Sequence, residues 1–419
     1  MQNYFVRCVE EAIKAQINTH SAILLEGIGS CGKATTAQIF SKGSYWLNKK
    51  DSIDLAKIDP SVALNGKQPR LIAEWQNAPE VGSELIERLA ENQATDQFIL
   101  TASSAPEDKK NVVQLNSKQI SHILMRPMSL AESKESREFV SLKSLFDDGE
   151  QKLLNKNKAH SILDTAFLLC RGGWPSAITE SQETALGVTK NCYDNLFSHE
   201  FCNGGKFRNK KTSVLQHIVK SYSMQISTDA PITLIRDKIT SVMGKRLDDK
   251  TMVSYIEALQ DLYIIEDLPA WNPKLRSNAI VRLTPARYFT DPSIATSALS
   301  IKPDDLLQDL RFFEMLFKNF AMRDLRVYSS VSSIKLSHYR DNLGLECDVV
   351  AHLDDTHWAA INIRLGGEAR IEEAVEDLKR LKRKVACNAP TFMMVLTATG
   401  MCYKRADGVY IVPINCLTY

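Results

Sequence analysis

The chain contains 419 residues, a length that favours about three domains or two larger ones. Hydrophobic residues make up 44% and charged residues 24%, which excludes a mainly disordered protein, a collagen-like fibre and a coiled coil. The 52 Lys and Arg residues nearly balance the 50 Asp and Glu residues, so the net charge of +2 points to no class of partner.

The first third of the chain alternates helical patterns with short apolar runs. Helical spacing predicts helices over residues 4–17 and 81–91. Apolar runs at 22–25, 70–73 and 97–101 predict buried strands. Strands that alternate with helices are typical of an α/β layer with a parallel sheet.

The middle of the chain is mainly helical, with predicted helices over 214–221, 232–242 and 250–262. Strand-like runs follow at 263–269 and 280–283, and three helices with a small hairpin form a winged-helix pattern.

The last part is mixed. It contains predicted helices over 304–327 and 369–385 and predicted strands at 347–352, 358–363, 392–396 and 409–412. We therefore expect three domains, over residues 1–180, 181–285 and 286–419.

Composition also bears on location and metals. No apolar run approaches the roughly 20 residues that cross a bilayer, and the start of the chain leads into a charged stretch rather than a signal peptide. The nine cysteines form no Cys-x-x-Cys pair, and the eight histidines show no metal-ligand spacing. We expect a cytoplasmic protein with reduced thiols, no metal site and no membrane partner.

A glycine-rich loop follows the first predicted strand. Its candidate nucleotide-binding residues are Gly27, Gly29, Ser30, Cys31, Gly32, Lys33, Ala34 and Thr35. The loop fits the pattern Gly-x-x-x-x-Gly-Lys without the final Ser or Thr. Glycines let backbone N–H groups surround a phosphate, the next helix directs its positive end there, and Lys33 would reach the β- and γ-phosphates. The alternative is an ordinary strand-to-helix turn, since the bare string arises by chance in roughly one in seven such chains.

Further motifs are spread over the whole chain in a specific order. They are Pro69-Arg70-Leu71-Ile72-Ala73-Glu74-Trp75-Gln76, Gln97-Phe98-Ile99-Leu100-Thr101, Met125-Arg126-Pro127-Met128-Ser129-Leu130, Gly172-Gly173-Trp174-Pro175, Pro269-Ala270-Trp271, Leu275-Arg276-Ser277, Asp291-Pro292-Ser293, Glu346-Cys347-Asp348 and Asp407-Gly408-Val409. Through them the chain resembles, almost end to end, prokaryotic AAA-type P-loop ATPases with a C-terminal domain of unknown function. The resemblance implies an α/β P-loop core that binds ATP, a middle winged helix and a C-terminal α/β domain of restriction-nuclease-like fold.

The chain departs from this family where magnesium would bind. Ala34 replaces the P-loop hydroxyl, and Ala73 replaces the Asp that precedes Glu74. Lys118-Gln119 stands where relatives carry Gly-Arg. Phosphoryl transfer depends on a metal that bridges the β- and γ-oxygens, and Thr35 lies about 100° further round the helix.

The resemblance leaves Glu74 as the candidate catalytic residue and Thr101 as a candidate sensor. We expect weak or absent ATP binding and poor hydrolysis, with the protein anchors of Mg²⁺ missing.

The C-terminal domain departs in the same way. The family pattern has a Leu-Phe-Glu helix, a Glu-x-Asp strand and a Glu-x-Lys strand, and such acids hold Mg²⁺ in nucleases. Here Glu346 and Asp348 remain, while Lys318, Asn362 and Arg364 take the other places. Arg cannot exchange protons as Lys does. A scaffold with ion pairs such as Asp348 with Arg364 is favoured over an active nuclease.

DNA binding is a separate possibility. The winged-helix candidate helix carries Glu257 and Asp261 and begins with two more acids, which oppose phosphates, although Lys245, Arg246 and Lys250 partly offset them. Basic runs at 206–211 and 379–384 could bind phosphates or form solvated helix faces.

Three hypotheses follow. The first is a degenerate P-loop protein that acts as a nucleotide-dependent regulator or an interaction scaffold, with a protein partner or a homo-oligomer. The second is an active ATPase that uses Lys33 and Glu74 with a water-held metal. The third is a DNA-associated protein.

Overall fold

A computed structural model describes residues 4–91, 94–95, 97–105, 118–147, 160–198, 210–244, 247–386 and 388–419. The chain packs into two compact units. The first comprises Met1–Pro127, Asn191–Leu215 and Ser254–Ile264, and the second comprises Met128–Lys190, Gln216–Val253 and Ile265–Tyr419. The division into three domains stays a prediction.

Helices and strands alternate through the first part of the chain. They are α1 Val9–Ile17, β1 Ala22–Glu26, α2 Lys33–Ile39, β2 Gly43–Trp46, α3 Lys50–Ile58, α4 Ser61–Leu64, β3 Arg70–Ala73, α5 Pro79–Glu91, β4 Phe98–Ala102 and β5 Ile120–Leu124.

The middle is largely helical. Its elements are β6 Val140–Ser141, α6 Leu142–Phe146, α7 Ile162–Arg171, α8 Pro175–Ile178, α9 Gln182–Asn195, α10 Thr212–Ser223, α11 Ile232–Met243 and α12 Asp249–Asp261.

The last part is mixed. Its elements are α13 Ser293–Leu299, α14 Pro303–Leu306, α15 Leu310–Val331, β7 Lys335–Arg340, β8 Glu346–His352, β9 Trp358–Arg364, α16 Glu368–Lys384, β10 Phe392–Thr397, β11 Tyr403–Lys404, β12 Tyr410–Pro413 and β13 Leu417–Thr418.

The first unit contains a five-stranded sheet in the order β2-β3-β4-β1-β5, and every pair is parallel. Its central strands are almost wholly buried, as expected of a parallel sheet covered on both faces. One core cluster joins Leu24, Ile72 and Leu100 of these strands to Leu85 of α5. The predicted α/β layer with a parallel sheet is confirmed.

The predicted helix over 4–17 is too long, because α1 begins at Val9. The carboxylate of Glu10 accepts a hydrogen bond from the backbone N–H of Arg7 at 2.8 Å. A side chain that caps the backbone in this way stands at the start of a helix rather than inside it. Residues 4–8 therefore form a separate lead-in segment.

The second unit contains a six-stranded mixed sheet in the order β11-β12-β10-β9-β8-β7. Strands β9, β10 and β12 are parallel, whereas β7, β8 and β9 are antiparallel neighbours. Val375, Leu378 and Leu381 of α16 join the core on this sheet. The predicted strand pair at 347–352 and 358–363 is confirmed as β8 and β9.

The single helix predicted over 304–327 is wrong, because two helices occupy this stretch. Asp309 lies between α14 and α15, and its side chain accepts a hydrogen bond from the Phe312 N–H at 3.0 Å. This contact is an N-cap, which starts a new helix.

The hairpin predicted between 263–269 and 280–283 is also wrong in its pairing. Ile265 bridges to Phe289 and Leu268 bridges to Ala286, while Val281 bridges to Asp341. The Arg282 N–H donates to the Arg340 carbonyl, and the Ile280 carbonyl accepts from the Asn342 N–H. These backbone groups are therefore not available to pair with residues 263–269. The winged helix stays a prediction.

Two of the sequence motifs meet in a buried polar network of the second unit. The Asp291 carboxylate accepts hydrogen bonds from the Gly173 N–H at 2.9 Å and from Arg323 at 3.2 Å. A Cβ on Gly173 would lie 2.2 Å from the carbonyl oxygen of Met128, so only glycine fits there. The Gly-Gly-Trp-Pro and Asp-Pro-Ser motifs therefore stabilise the fold.

Candidate functional site

The glycine-rich loop turns sharply between β1 and α2. Gly27 has φ +149° and Gly32 has φ +98°, both in the region that favours glycine. A Cβ on Gly27 would lie 2.0 Å from the carbonyl oxygen of Met125, which follows β5. Ser30 also has a positive φ of 64° and is exposed at the tip. The loop conformation thus depends on the glycines that the sequence singled out.

Lys33 begins α2 and points back into the loop. Its side chain is buried, and its Nζ donates to the carbonyl oxygens of Gly27 and Ile28, each at 2.8 Å. The loop carbonyls thus compensate the buried ammonium group. No carboxylate pairs with Lys33 among the described residues, so its positive charge is not neutralised.

The backbone N–H groups of residues 28–35 form no hydrogen bond within the described part of the chain. Four of them, on Gly32, Lys33, Ala34 and Thr35, belong to the helix terminus, where the backbone donors lack an intrahelical partner. The other four belong to the loop itself. Successive donors at a helix N-terminus form a concave site for an anion.

Arg7 holds this loop from the lead-in segment, a role that sequence reasoning missed. Its guanidinium donates to the carbonyl oxygens of Cys31 at 2.8 Å and Arg126 at 2.7 Å. Tyr4 donates to Thr36 Oγ1 on α2 at 3.1 Å. No sequence signal marked Arg7, because its burial and its two carbonyl acceptors exist only in the folded chain.

Glu74 and Thr101 meet at the carboxyl ends of neighbouring strands. Thr101 is in register with Ala73 on one side and with Leu25 on the other. Its Oγ1 accepts a hydrogen bond from the Glu74 N–H at 3.2 Å. Glu74 adopts φ +59°, which turns the chain at the strand end. The parallel sheet therefore gathers the glycine loop, Thr101 and Glu74 at one edge, where ligands of such sheets bind.

The carboxylate of Glu74 already has partners. Its Oε1 accepts from the Ser103 hydroxyl at 3.0 Å, and its Oε2 accepts from the Gln76 amide at 2.7 Å. Ser103 was not predicted, although it lies in the polar run that follows β4. These bonds fix the carboxylate on the side of β3 and β4.

Neither alanine of the site can bind a cation. Ala34 and Ala73 carry only methyl groups, and Ala73 is fully buried. Thr35 is exposed on α2, while the hydroxyl of Thr36 already accepts from Tyr4. Hard cations require oxygen ligands, which these positions do not supply.

A second polar cluster lies on β8 and β9 of the second unit, centred on Asp348. Lys318 of α15 donates to Oδ1 at 2.5 Å, and Arg364 donates to Oδ2 at 2.8 Å. The Ile363 N–H also donates to Oδ2 at 2.8 Å. The predicted ion pair of Asp348 with Arg364 is confirmed, and Lys318 adds a second cation.

The charges in this cluster compensate one another. Burial alone would raise the pKa of Asp348, but Lys318 and Arg364 outweigh it and hold the pKa below its usual value. Burial would likewise lower the pKa of Arg364, but Asp348 and Glu314 raise it. The carboxylate is therefore an ionised acceptor with both oxygens occupied.

The two other candidate residues of this domain do not complete a metal site. Glu346 lies at the exposed start of β8 and pairs with Arg340 at 2.9 Å. Asn362 Oδ1 accepts from the Asp348 N–H at 3.0 Å, and its amide donates to the Ala374 carbonyl at 3.2 Å. In the part of the chain that the structure describes, no three His, Cys, Asp or Glu side chains group as metal ligands.

The basic run at 206–211 lies largely outside the described residues, whereas the run at 379–384 lies at the end of α16. Lys206, Phe207 and Arg208 lie outside the described residues, as do Lys245 and Arg246. Lys379 pairs with Glu376 and Asp407, and Arg380 pairs with Asp377. Lys382 and Arg383 are exposed at the end of α16.

No helix within the described ranges has the length and apolarity needed to cross a bilayer.

Two segments of the chain match models of protein families. Residues 163–305 match the model of a domain of unknown function, DUF8612, and residues 313–417 match that of another, DUF4143. No curated protein matches the chain. A Walker-type ATPase of Pyrococcus abyssi is similar in structure over 71% of this chain and 96% of that chain, with 15% identity and a TM-score of 0.45.

The expected C-terminal domain of unknown function is thus confirmed as a match to a family model within residues 286–419. Its nuclease-like fold stays a prediction.

Proposed function

We propose that this chain is an ATP-binding P-loop protein whose metal-dependent hydrolysis is impaired, and that it acts as a nucleotide-dependent regulator or scaffold. The observation that carries the proposal is the set of unpartnered backbone N–H groups at residues 28–35 beside Lys33. Ile28, Gly29 and Cys31 are buried, whereas Ser30 and Thr35 are exposed, so the row of free donors is open to an incoming group. Such a row beside a cation suits a phosphate chain.

The residues present fit the phosphates of a nucleotide. Gly27 and Gly32 give the loop a backbone conformation that favours glycine, and the backbone donors of residues 28–35 have no partner among the described residues. Lys33 Nζ now bonds to two loop carbonyls, and it can exchange them for phosphate oxygens, which are stronger acceptors because they are charged. The phosphates of ATP would supply the negative counter-charge that no carboxylate provides to the Lys33 ammonium group.

Hydrolysis is expected to be poor for reasons that lie in the same site. Mg²⁺ would lack a hydroxyl at Ala34 and a carboxylate at Ala73, so its position would depend on water and phosphate alone. Glu74 is bonded to Ser103 and Gln76, which leaves it less available as a base.

A thermal-shift measurement tests nucleotide binding. ATP or ADP at about 100 times Kd should stabilise the protein by about 2.7 kcal/mol, which raises Tm by several degrees. The shift should be the same with Mg²⁺ or EDTA, and Lys33→Ala should abolish it. Lys57→Ala on α3 is the matched control, since Lys57 is an exposed lysine on a different helix from Lys33.

Other outcomes separate the alternatives. The absence of any shift with either nucleotide would contradict binding and leave a nucleotide-free scaffold. Hydrolysis with Mg²⁺ at about 1 s⁻¹ or faster that is lost in Lys33→Ala would establish an active ATPase instead. Ala34→Ser restores a hydroxyl and should make the shift with ATP depend on Mg²⁺.

We further infer that the C-terminal domain serves as a scaffold rather than a nuclease, since Asp348 is saturated by Lys318, Arg364 and a backbone donor. Incubation of DNA with Mg²⁺ or Mn²⁺ tests this point. Robust cutting that is lost in Asp348→Ala would overturn it.

A further inference from the structure

We propose that a surface groove at residues 272–283 of the second unit binds an acidic, aliphatic peptide segment of a partner protein. This inference is independent of nucleotide binding. It rests on three features: an exposed aliphatic lining, unpaired cations at its rim, and carboxylates that are already neutralised.

The groove has a volume of about 400 Å³ and an aliphatic lining. Its apolar walls come from Pro273, Leu275, Ile280, Val281 and Leu283. Ile280 is 68% exposed and Leu283 is 62% exposed, although both are large aliphatic residues. Contiguous exposed apolar surface with a polar rim is typical of a protein-binding site.

The apolar surface continues onto a neighbouring turn. The Ile280 N–H donates to Asn342 Oδ1 at 2.8 Å, and the Asn342 N–H donates to the Ile280 carbonyl at 3.0 Å. The next residue, Leu343, is 66% exposed. These two hydrogen bonds fix the groove segment at Ile280 to the turn that contains Asn342 and Leu343.

The opposite end of the groove segment is tied to the end of α16. The Arg276 N–H donates to the Lys384 carbonyl at 2.9 Å, and the Ala386 N–H donates to the Lys274 carbonyl at 2.8 Å. This pairing brings Lys274 and Arg276 beside the exposed cations at the end of α16.

Four cations at this end of the groove lack a counter-charge. Lys274, Arg276, Lys382 and Arg383 are exposed and form no ion pair within the described residues. The remaining cations of α16 are paired. Arg370, Lys379 and Arg380 pair with acids on the same helix, and Lys384 pairs with Asp341. Lys274 and Arg276 alternate with the lining residues Pro273, Leu275 and Ser277, so the four unpaired charges flank the groove without lining it. We call these four residues the positive rim.

The nearby carboxylates do not neutralise this rim. Residues 269–290 contain no Asp or Glu. Asp229 pairs with Arg340 and Arg282, while the buried Asp341 contacts Lys384 and accepts from the Tyr339 hydroxyl at 2.8 Å. An incoming acidic segment would thus meet net positive charge beside an apolar wall, which gives charge complementarity and contact area together.

The lining favours a peptide over a nucleic acid. Single-stranded nucleic acids stack their bases on aromatic side chains, and residues 272–283 contain none. Aliphatic walls suit Leu, Ile or Val side chains of a peptide, which dock at regular spacing in such grooves.

A display experiment on the 419-residue chain tests the proposal. A library of random dodecapeptides is selected on the immobilised protein, and enriched peptides are measured by fluorescence anisotropy. We expect enriched peptides to combine aliphatic residues with Asp or Glu. Ile280→Asp should weaken binding by about tenfold or more. Lys382→Glu combined with Arg383→Glu should also weaken binding and reduce its salt dependence.

Leu310→Asp is the matched control, because Leu310 of α15 is 59% exposed and lies outside the groove. It should leave peptide binding unchanged. The Tm of each variant reports folding, and a change of less than about 2 °C is expected for these exposed positions.

Several results would overturn the proposal. These are no enrichment, enriched peptides without acidic residues, or peptides that bind Ile280→Asp as tightly as the parent. Tighter binding of single-stranded or duplex oligonucleotides that is lost in the Lys382 and Arg383 variant would assign the rim to nucleic acid. Self-association abolished by Ile280→Asp would assign the groove to a second copy of the chain.

Discussion

At the scale of single residues, the glycine loop and the cluster around Asp348 differ in whether their central charge has a counter-charge. Lys33 is buried, and its Nζ donates to two carbonyl oxygens and contacts the Cys31 sulfur at 3.9 Å. None of these partners carries a full negative charge, so the positive charge of Lys33 is available to an anion. Asp348 is buried between Lys318 and Arg364, so its negative charge is already used. The first arrangement suits a ligand, whereas the second stabilises a domain.

The cluster around Asp348 makes a stability prediction. Asp348→Ala leaves Lys318 and Arg364 without their partner and should cost about 3 kcal/mol of unfolding free energy. Glu346→Ala is the control, because its pair with Arg340 is solvent-exposed and should contribute about 0.5 kcal/mol or less. Urea unfolding measures both, and equal losses in the two variants would contradict the assignment.

The same cluster gives the direction of a pH dependence. The pKa of Asp348 is lower in the folded protein than in the unfolded chain, so its contribution is complete above about pH 4. The contribution is lost as the pH falls through the folded-state pKa. The stability difference between the parent and Asp348→Ala should stay constant from about pH 5 to 8 and shrink below about pH 4.

At the scale of elements, the lead-in segment before α1 fixes the glycine loop. Arg7 connects the carbonyl of Cys31 in the loop to the carbonyl of Arg126 after β5. Two segments that are distant in sequence are thereby held by one guanidinium. A buried carbonyl that loses its donor costs free energy, so this contact stabilises the loop position.

Arg7→Ala should therefore cost about 1–3 kcal/mol of unfolding free energy and weaken nucleotide binding. Arg7→Lys cannot reach both carbonyls in the planar geometry of Arg and should restore only part of the loss. Chemical unfolding and the thermal shift with ATP report the two effects separately. Unchanged nucleotide binding in a destabilised Arg7→Ala protein would show that the loop does not depend on this contact.

At the scale of the whole molecule, the first unit is assembled from three separate stretches of chain. Tyr263 donates to Glu26, next to the glycine loop, at 2.9 Å, and the Ala105 N–H donates to the Asp261 carbonyl at 2.8 Å. Residues far along the sequence thus complete the unit that carries the loop.

A fragment that ends at Pro127 should therefore fold poorly, with a lower Tm and a broader melting transition than the full chain. Tyr263→Phe in the full chain isolates one hydrogen bond and should cost only about 1 kcal/mol. Differential scanning calorimetry compares the three proteins. A fragment that melts as cooperatively and at the same temperature as the full chain would contradict this expectation.

The sequence by itself determined the elements whose signals are local. The apolar runs around Leu24, Ile72 and Leu100 predicted the parallel strands, because a strand buried on both faces must be apolar throughout. The spacing of glycines around Lys33 located the candidate loop, since a phosphate loop is continuous in sequence. The two helix starts that the patterns did not predict, at α1 and at α15, also have local causes. Glu10 accepts a hydrogen bond from the Arg7 N–H, and Asp309 accepts one from the Phe312 N–H.

Only the tertiary structure decided which side chains share a partner. Arg7 with Cys31, Lys318 with Asp348, and the groove that joins residues 272–283 to α16 all bring together residues distant in sequence. Charge and burial are properties of these three-dimensional neighbours, so no periodicity or spacing can reveal them. The strands are thus encoded by local sequence. Which charges are compensated depends on the folded state. The proposed roles of the glycine loop as a ligand site and of the C-terminal domain as a scaffold therefore depend on the folded state as well.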